Sequence, residues 1–214
     1  FYARRARRLL PLLALTLAVT TVAGLLFLGP RAPTAATAKT AVAASLFNAN
    51  TVLAQQPSGY FELEPTENAL LHTWSLSVEE QFYLGMSIVI GLAMLRVDWR
   101  KWLTAAFVAI GIASIVAMVV VQSTPNRELF GTDIRASELV AGCLLAMAVQ
   151  RFGWPTKWWW GVVGFASLAV TFVLWGWVTE QDSWVLNGGL AAVSLLNVGM
   201  ILGASSWGSS FARA

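Results

Sequence analysis

The chain has 214 residues, 57% of them hydrophobic and only 12% charged, with a formal charge of +3. Soluble domains carry about a quarter charged residues, so the composition points to lipid as the solvent. The small, dispersed positive charge excludes a nucleic-acid partner, and the single cysteine, Cys143, excludes an intramolecular disulfide or a multi-cysteine metal site.

A bilayer core about 30 Å thick needs about 20 apolar residues at helical rise. Six runs fit: Leu9–Gly29, Val78–Leu95, Trp102–Val121, Ala136–Val149, Trp158–Val178 and Trp184–Ser205. The fourth needs Asp133 to Ser137 to reach full length. The first follows a group of arginines, but it exceeds the about 7–15 residues of a signal-peptide core and precedes further spans, so it reads as a span. A seventh segment, Ala35–Ala54, is rich in Ala, Thr and Asn and only weakly hydrophobic. There is no strand-like alternation, internal repeat or low-complexity linker. The expected fold is one all-α, polytopic integral membrane domain, with six transmembrane helices and one re-entrant or interfacial helix. Phe1 in place of Met, and an end just after an apolar run, suggest a piece of a larger protein.

Basic residues set the orientation of membrane helices. Arg4, Arg5, Arg7 and Arg8 precede the first run; Arg96, Arg100 and Lys101 follow the second; Arg151 and Lys157 follow the fourth; Arg213 follows the sixth. All ten fall on the cytoplasmic side if the six runs alternate. The other side carries Glu62, Glu64, Glu67, Glu128, Glu180 and Asp182, with only Arg31, Lys39, Arg127 and Arg135 as bases. That sidedness requires Ala35–Ala54 to begin and end on the same face. Tryptophans at 99, 102, 154, 158–160, 175, 177 and 184 sit at the expected span ends. An indole favours the headgroup layer there, with carbohydrate stacking as the alternative.

Three segments can carry chemistry. In Phe1-Tyr2-Ala3-Arg4-Arg5-Ala6-Arg7-Arg8 the guanidinium groups of Arg5 and Arg8 are helical neighbours and can grip one phosphorylated ligand. The same arginines can instead anchor the chain on anionic lipid. The second segment, His72-Thr73-Trp74-Ser75-Leu76-Ser77-Val78-Glu79-Glu80-Gln81-Phe82-Tyr83-Leu84, holds the sole histidine and two carboxylates at the mouth of a span. Ionisable groups at that depth are costly and are functional candidates. A structural alternative is a capping box, with Ser77 as N-cap, Glu80 at N3 and Glu79 in the first turn. His72 can be a hydrogen-bonded structural residue, and it has no HxxxxD partner because position 77 is serine. In the third segment, Phe130-Gly131-Thr132-Asp133-Ile134-Arg135-Ala136-Ser137-Glu138, Arg135 and Glu138 are one turn apart and can neutralise each other, with Asp133 as N-cap.

In this order the three segments resemble the acyltransferase family 3 membrane proteins, bacterial O-acyltransferases of surface polysaccharides. FYARRARRLLP is similar to that family's basic motif containing R-x-x-R, HTWSLSVEEQFYL to its most recognisable internal signature, and TDIRASELVAGCLLA to a later helix start. The resemblance spans essentially the whole chain. It implies about ten spans, so residues 1–214 would be a partial domain lacking N- and C-terminal helices. It also implies an acyl-CoA co-substrate from the cytoplasm with no bound cofactor or metal. The acceptor would be a hydroxyl on an extracytoplasmic glycan or lipid-linked sugar, and the location the bacterial inner membrane. Arg5 and Arg8 match the donor-side motif, while His72, Glu79 and Glu80 match the central one as candidate catalytic residues. The family's proposed catalytic histidine lies in a first helix not found in these residues. A proton- or substrate-coupled transporter and a non-catalytic membrane subunit are the alternatives; the paired, Gly/Pro-broken halves of a transporter are not seen.

Overall fold

Long apolar runs in lipid must satisfy their backbone groups internally, and the helix is the single-segment way to do so. The structure, a computed structural model, describes residues 2–27, 34–55, 68–120, 125–178, 182, 184 and 188–211. Arg31, Glu62, Glu64, Glu67, Glu180 and Arg213, the side chain of Glu128, and the run ends at Gly29 and Val121 lie outside them. Among the described residues the regular structure is entirely helical: α1 (Tyr2–Phe27), α2 (Thr34–Ser45), α3 (Ala49–Ala54), α4 (Thr73–Met94), α5 (Trp99–Val120), α6 (Pro125–Phe130), α7 (Thr132–Phe152), α8 (Trp159–Trp177) and α9 (Leu190–Phe211).

Each expected run becomes a helix, and most extend past the apolar residues that announced them. α1 begins seven residues before Leu9 and α4 five before Val78. By length and apolarity three helices can cross a membrane: Tyr2–Gly24 of α1, α5 and α8. Leu190–Ser206 of α9 is a shorter apolar helix, so length and apolarity do not reach six. Large apolar side chains such as Leu15, Val19, Ile112, Phe165 and Phe172 are exposed along these helices. So much exposed apolar surface is foreign to a water-soluble monomer and fits a multi-pass membrane protein. Trp102, Trp154, Trp158, Trp175 and Trp177 are also exposed.

The chain divides into two units, residues 1–85 with 123–132, and residues 86–122 with 133–214. In the first unit, Ala35–Ala54 forms two helices rather than one. α2, at 12 residues, rises only about 18 Å, too short to cross. Its end is a Schellman-type turn: Asn48 N–H reaches Ala43 O at 2.8 Å and Phe47 N–H reaches Ala44 O at 3.0 Å. That turn puts Phe47 at φ +53°, the left-handed position usually given to glycine. Leu53, Leu70 and Phe130 are fully buried here, and Trp74 meets the Phe130 ring edge-on at 5.5 Å. Asn68 closes an Asx turn onto Leu70 N–H at 3.2 Å and donates to Thr40 Oγ1 at 2.9 Å.

In the second unit, Ser114 of α5 donates to Ile134 O at 2.7 Å and accepts from Ser137 N–H at 2.9 Å, pinning α5 to the first turns of α7. α8 and α9 meet through glycines. A Cβ on Gly203 would lie 2.5 Å from Gly164 Cα, and one on Gly164 would lie 2.7 Å from Gly203 Cα. Small residues let the two backbones touch, the usual basis of helix pairing in lipid.

Candidate functional site

The basic N-terminus of α1 turns one arginine inward. Arg4, Arg7 and Arg8 are exposed, whereas Arg5 is half-buried. Its Nε donates to Glu80 Oε1 at 2.5 Å, its Nη2 lies 3.5 Å from Glu79 Oε2, and its guanidinium stands 4.1 Å over the Tyr83 ring. Tyr2 Oη donates to the Tyr83 carbonyl at 2.8 Å. These pairings run in opposite senses along the two helices, Tyr2 with Tyr83 and Arg5 with Glu80, so α1 lies antiparallel to this part of α4. The Arg5 side chain is 24% exposed, and the Glu80 side chain is only 12% exposed against 48% for Glu79. One positive charge thus faces two negative ones, and the spare negative charge sits on the more exposed Glu79.

This geometry replaces the capping box. α4 starts at Thr73, so Ser77 and Glu80 lie inside the helix and Glu79 lies beyond its first turn. Ser77 Oγ instead donates to Thr73 O at 3.2 Å and accepts Ala49 N–H at 3.1 Å. The box pattern was misleading because Thr73-Trp74-Ser75-Leu76, one turn earlier, is equally able to be helical. Arg5, expected on the cytoplasmic side, also reaches the central motif. Its long side chain and the depth of the carboxylates in α4 bring them together.

The five expected site residues do not all converge. Arg5, Glu79 and Glu80 form one cluster. Arg8 is exposed, with no carboxylate partner among the described residues. His72 is exposed in the turn before α4; eight residues of helical rise, about 12 Å, separate it from Glu80. Asp133 is in the first turn of α7 rather than at its N-cap, because Thr132 is already helical. Arg135 and Glu138 pair as expected, at 2.9 Å.

Sequence reasoning passed over the scaffold beside the cluster. Gln81 Nε2 donates to Phe47 O at 2.8 Å and to Asn50 Oδ1 at 2.9 Å, and Thr132 Oγ1 donates to Gln81 Oε1 at 2.5 Å. Asn50 Nδ2 completes the ring with Phe130 O at 3.1 Å and Thr132 Oγ1 at 2.9 Å. Gln81 therefore ties α4 to the α2–α3 break and to the α6–α7 junction, and it occupies the carbonyl of the strained Phe47. The available signal was three amide and hydroxyl side chains, Asn50, Gln81 and Thr132, each beside other polar residues at the edge of an apolar run.

Residues 1–213 match the acyltransferase domain family. The chain is 30% identical, over its whole length, to the O-acetyltransferase OatA of Staphylococcus aureus strains NCTC 8325 / PS 47, COL and MRSA252. It spans 36% of the length of each of these relatives. No solved structure matches it. The match over nearly every residue, with the basic, central and later motifs in one frame, places this chain in the acyltransferase 3 family.

Proposed function

We propose that these residues are part of a multi-pass O-acyltransferase of the bacterial inner membrane. The enzyme moves an acyl group, acetyl by likeness to the named O-acetyltransferases, from cytoplasmic acyl-CoA to a hydroxyl of an extracytoplasmic glycan or lipid-linked sugar. The observation that carries this reading is the Arg5–Glu79–Glu80 cluster. Ionisable groups embedded between membrane helices are expensive, and a working site is the usual reason for them. In this reading α1, α4, α5, α7, α8 and α9 cross the bilayer, and α2 with α3 forms the re-entrant or interfacial piece.

The acceptor hydroxyl loses its proton to a general base as its oxygen attacks the thioester carbonyl, and the CoA thiolate leaves. His72 is too far from the cluster to be that base there, so the base is a histidine outside residues 1–214. Glu79, half exposed, orients that histidine or the acceptor. Arg8, whose charge no carboxylate offsets among the described residues, takes the donor phosphates, and Arg5 is shared between them and Glu80.

The test is the full-length protein in vesicles, with labelled acetyl-CoA on the cytoplasmic side and candidate glycans on the other. Arg5→Lys keeps the charge but loses the planar fork; it and Glu80→Gln should each cut transfer about tenfold or more while insertion persists. Full transfer by the correctly inserted double variant would remove the cluster from the reaction.

A further inference from the structure

A second feature belongs to the unit formed by residues 86–122 and 133–214. A cavity of about 950 Å³ opens there, bounded by the C-terminal half of α4, the start of α5 and the C-terminal half of α7. Its walls are apolar, with Met86 and Ile90 from α4, Leu103 and Phe107 from α5, and Cys143 and Met147 from α7. Three of the chain's five methionines, Met86, Met94 and Met147, line it. Unbranched, polarizable thioethers suit a flexible apolar guest better than a rigid one.

The mouth is basic. Arg100 and Lys101 in the first turn of α5 and Arg151 in the last turn of α7 line it, against one acid, Asp98. Asp98 lies 3.6 Å from Lys101 Nζ and offsets that charge. Arg100 and Arg151 have no carboxylate partner among the described residues. Each is braced on an aromatic ring instead, Arg100 at 5.2 Å over Trp99 and Arg151 at 5.3 Å over Phe152. Aromatic residues favour the headgroup level of a bilayer, which is where a phosphate would be met.

We propose that this cavity is a binding site for an anionic phospholipid. The headgroup phosphate sits between Arg100 and Arg151, and one acyl chain runs down the Met86–Ile90–Met147 trough. Charge complementarity decides the occupant. A neutral apolar guest leaves two guanidinium groups unpaired, and a small free anion leaves the trough empty. Only a phosphate joined to a chain uses both, and basic pockets between membrane helices favour such lipids.

Cys143, the one thiol of the chain, lies in the cavity wall and reports its occupancy. The experiment measures N-ethylmaleimide alkylation of the Cys143 peptide by mass spectrometry. It compares vesicles of phosphatidylcholine alone with vesicles containing phosphatidylglycerol. The expected result is alkylation about tenfold slower with phosphatidylglycerol. The Arg100→Gln/Arg151→Gln variant should lose that protection, whereas Arg96→Gln, outside the cavity, should keep it. Equal rates in the two vesicles would overturn the proposal. So would protection that survives in the double variant, which means an occupant held by apolar contact alone. Loss of protection in Arg96→Gln would reduce the effect to diffuse surface charge, and equal protection by inorganic phosphate in phosphatidylcholine would make the ligand a free anion; both refute the lipid site.

Discussion

Arg5 spends its one charge on two carboxylates of unequal surroundings, and that inequality can be measured. Glu80 is the more covered partner and makes the shorter bond, while about half the Glu79 side chain is exposed. Glu80→Gln leaves the guanidinium with a neutral acceptor and should cost about 1–2 kcal/mol of stability. Glu79→Gln, like an exposed pair, should cost about 0–1 kcal/mol. Reversible unfolding of the two variants in detergent checks the order. If Glu79→Gln proves the more damaging to folding, the charge-sharing geometry is wrong. Their effects on transfer are a separate question: Glu79, being more exposed, is the better placed to meet a substrate. Gln81 is a stability residue of a different kind. Gln81→Leu removes the bonds that Gln81 makes to the Asn50 amide oxygen and the Phe47 carbonyl, and the acceptor of the Thr132 hydroxyl proton. Unmade buried hydrogen bonds cost about 1–3 kcal/mol, so its melting temperature should fall clearly below that of Phe82→Leu, a control one residue away.

Among the elements, α4 and the α8–α9 pair show two ways of joining helices in lipid. α4 uses polar side chains, with Ser77, Glu80 and Gln81 reaching α3, α1 and the α6–α7 junction. α8 and α9 use the absence of side chains. Gly203→Ala would place a methyl 2.5 Å from Gly164 Cα and 2.8 Å from Trp160 O, where backbone cannot yield. The helices must separate, at about 1–3 kcal/mol. Gly142→Ala in α7 meets nothing within 4 Å and should be neutral or gain up to about 1 kcal/mol from helix propensity. Parallel thermal unfolding of the two variants decides this; similar losses would mean that glycine flexibility, not close approach, is what matters.

For the whole molecule the testable question is sidedness. The 22 residues of α4 rise about 33 Å, enough to cross, with His72 before its first residue. Under the basic asymmetry, a cysteine at position 72 should label from outside and one at position 101 from the cytoplasm, after Cys143→Ser. Labelling of position 72 from the cytoplasm alone would reverse the topology. Residues 1–214 by themselves should still insert, since the spans and flanking charges are present. They should transfer no acyl group, because their one histidine stands about 12 Å of helix away from the carboxylate cluster.

Apolar runs interrupted by Arg and Trp were enough to announce helices and a membrane, because lipid leaves a backbone few other choices. The three motifs were enough to name the family, and helical spacing alone gave the Arg135–Glu138 pair. What the sequence could not decide was where helices begin when polar residues continue them. That one uncertainty turned Ser77 and Glu80 from the alternative reading of a capping box into interior residues of α4. Nor could it pair Arg5 with a carboxylate 75 residues away, or show that Gln81, Asn50 and Thr132 close one ring. Those contacts depend on how α1, α3 and the α6–α7 junction pack on α4. Local propensity carries no record of partners distant in the chain, and only tertiary packing decides which polar groups in lipid satisfy one another.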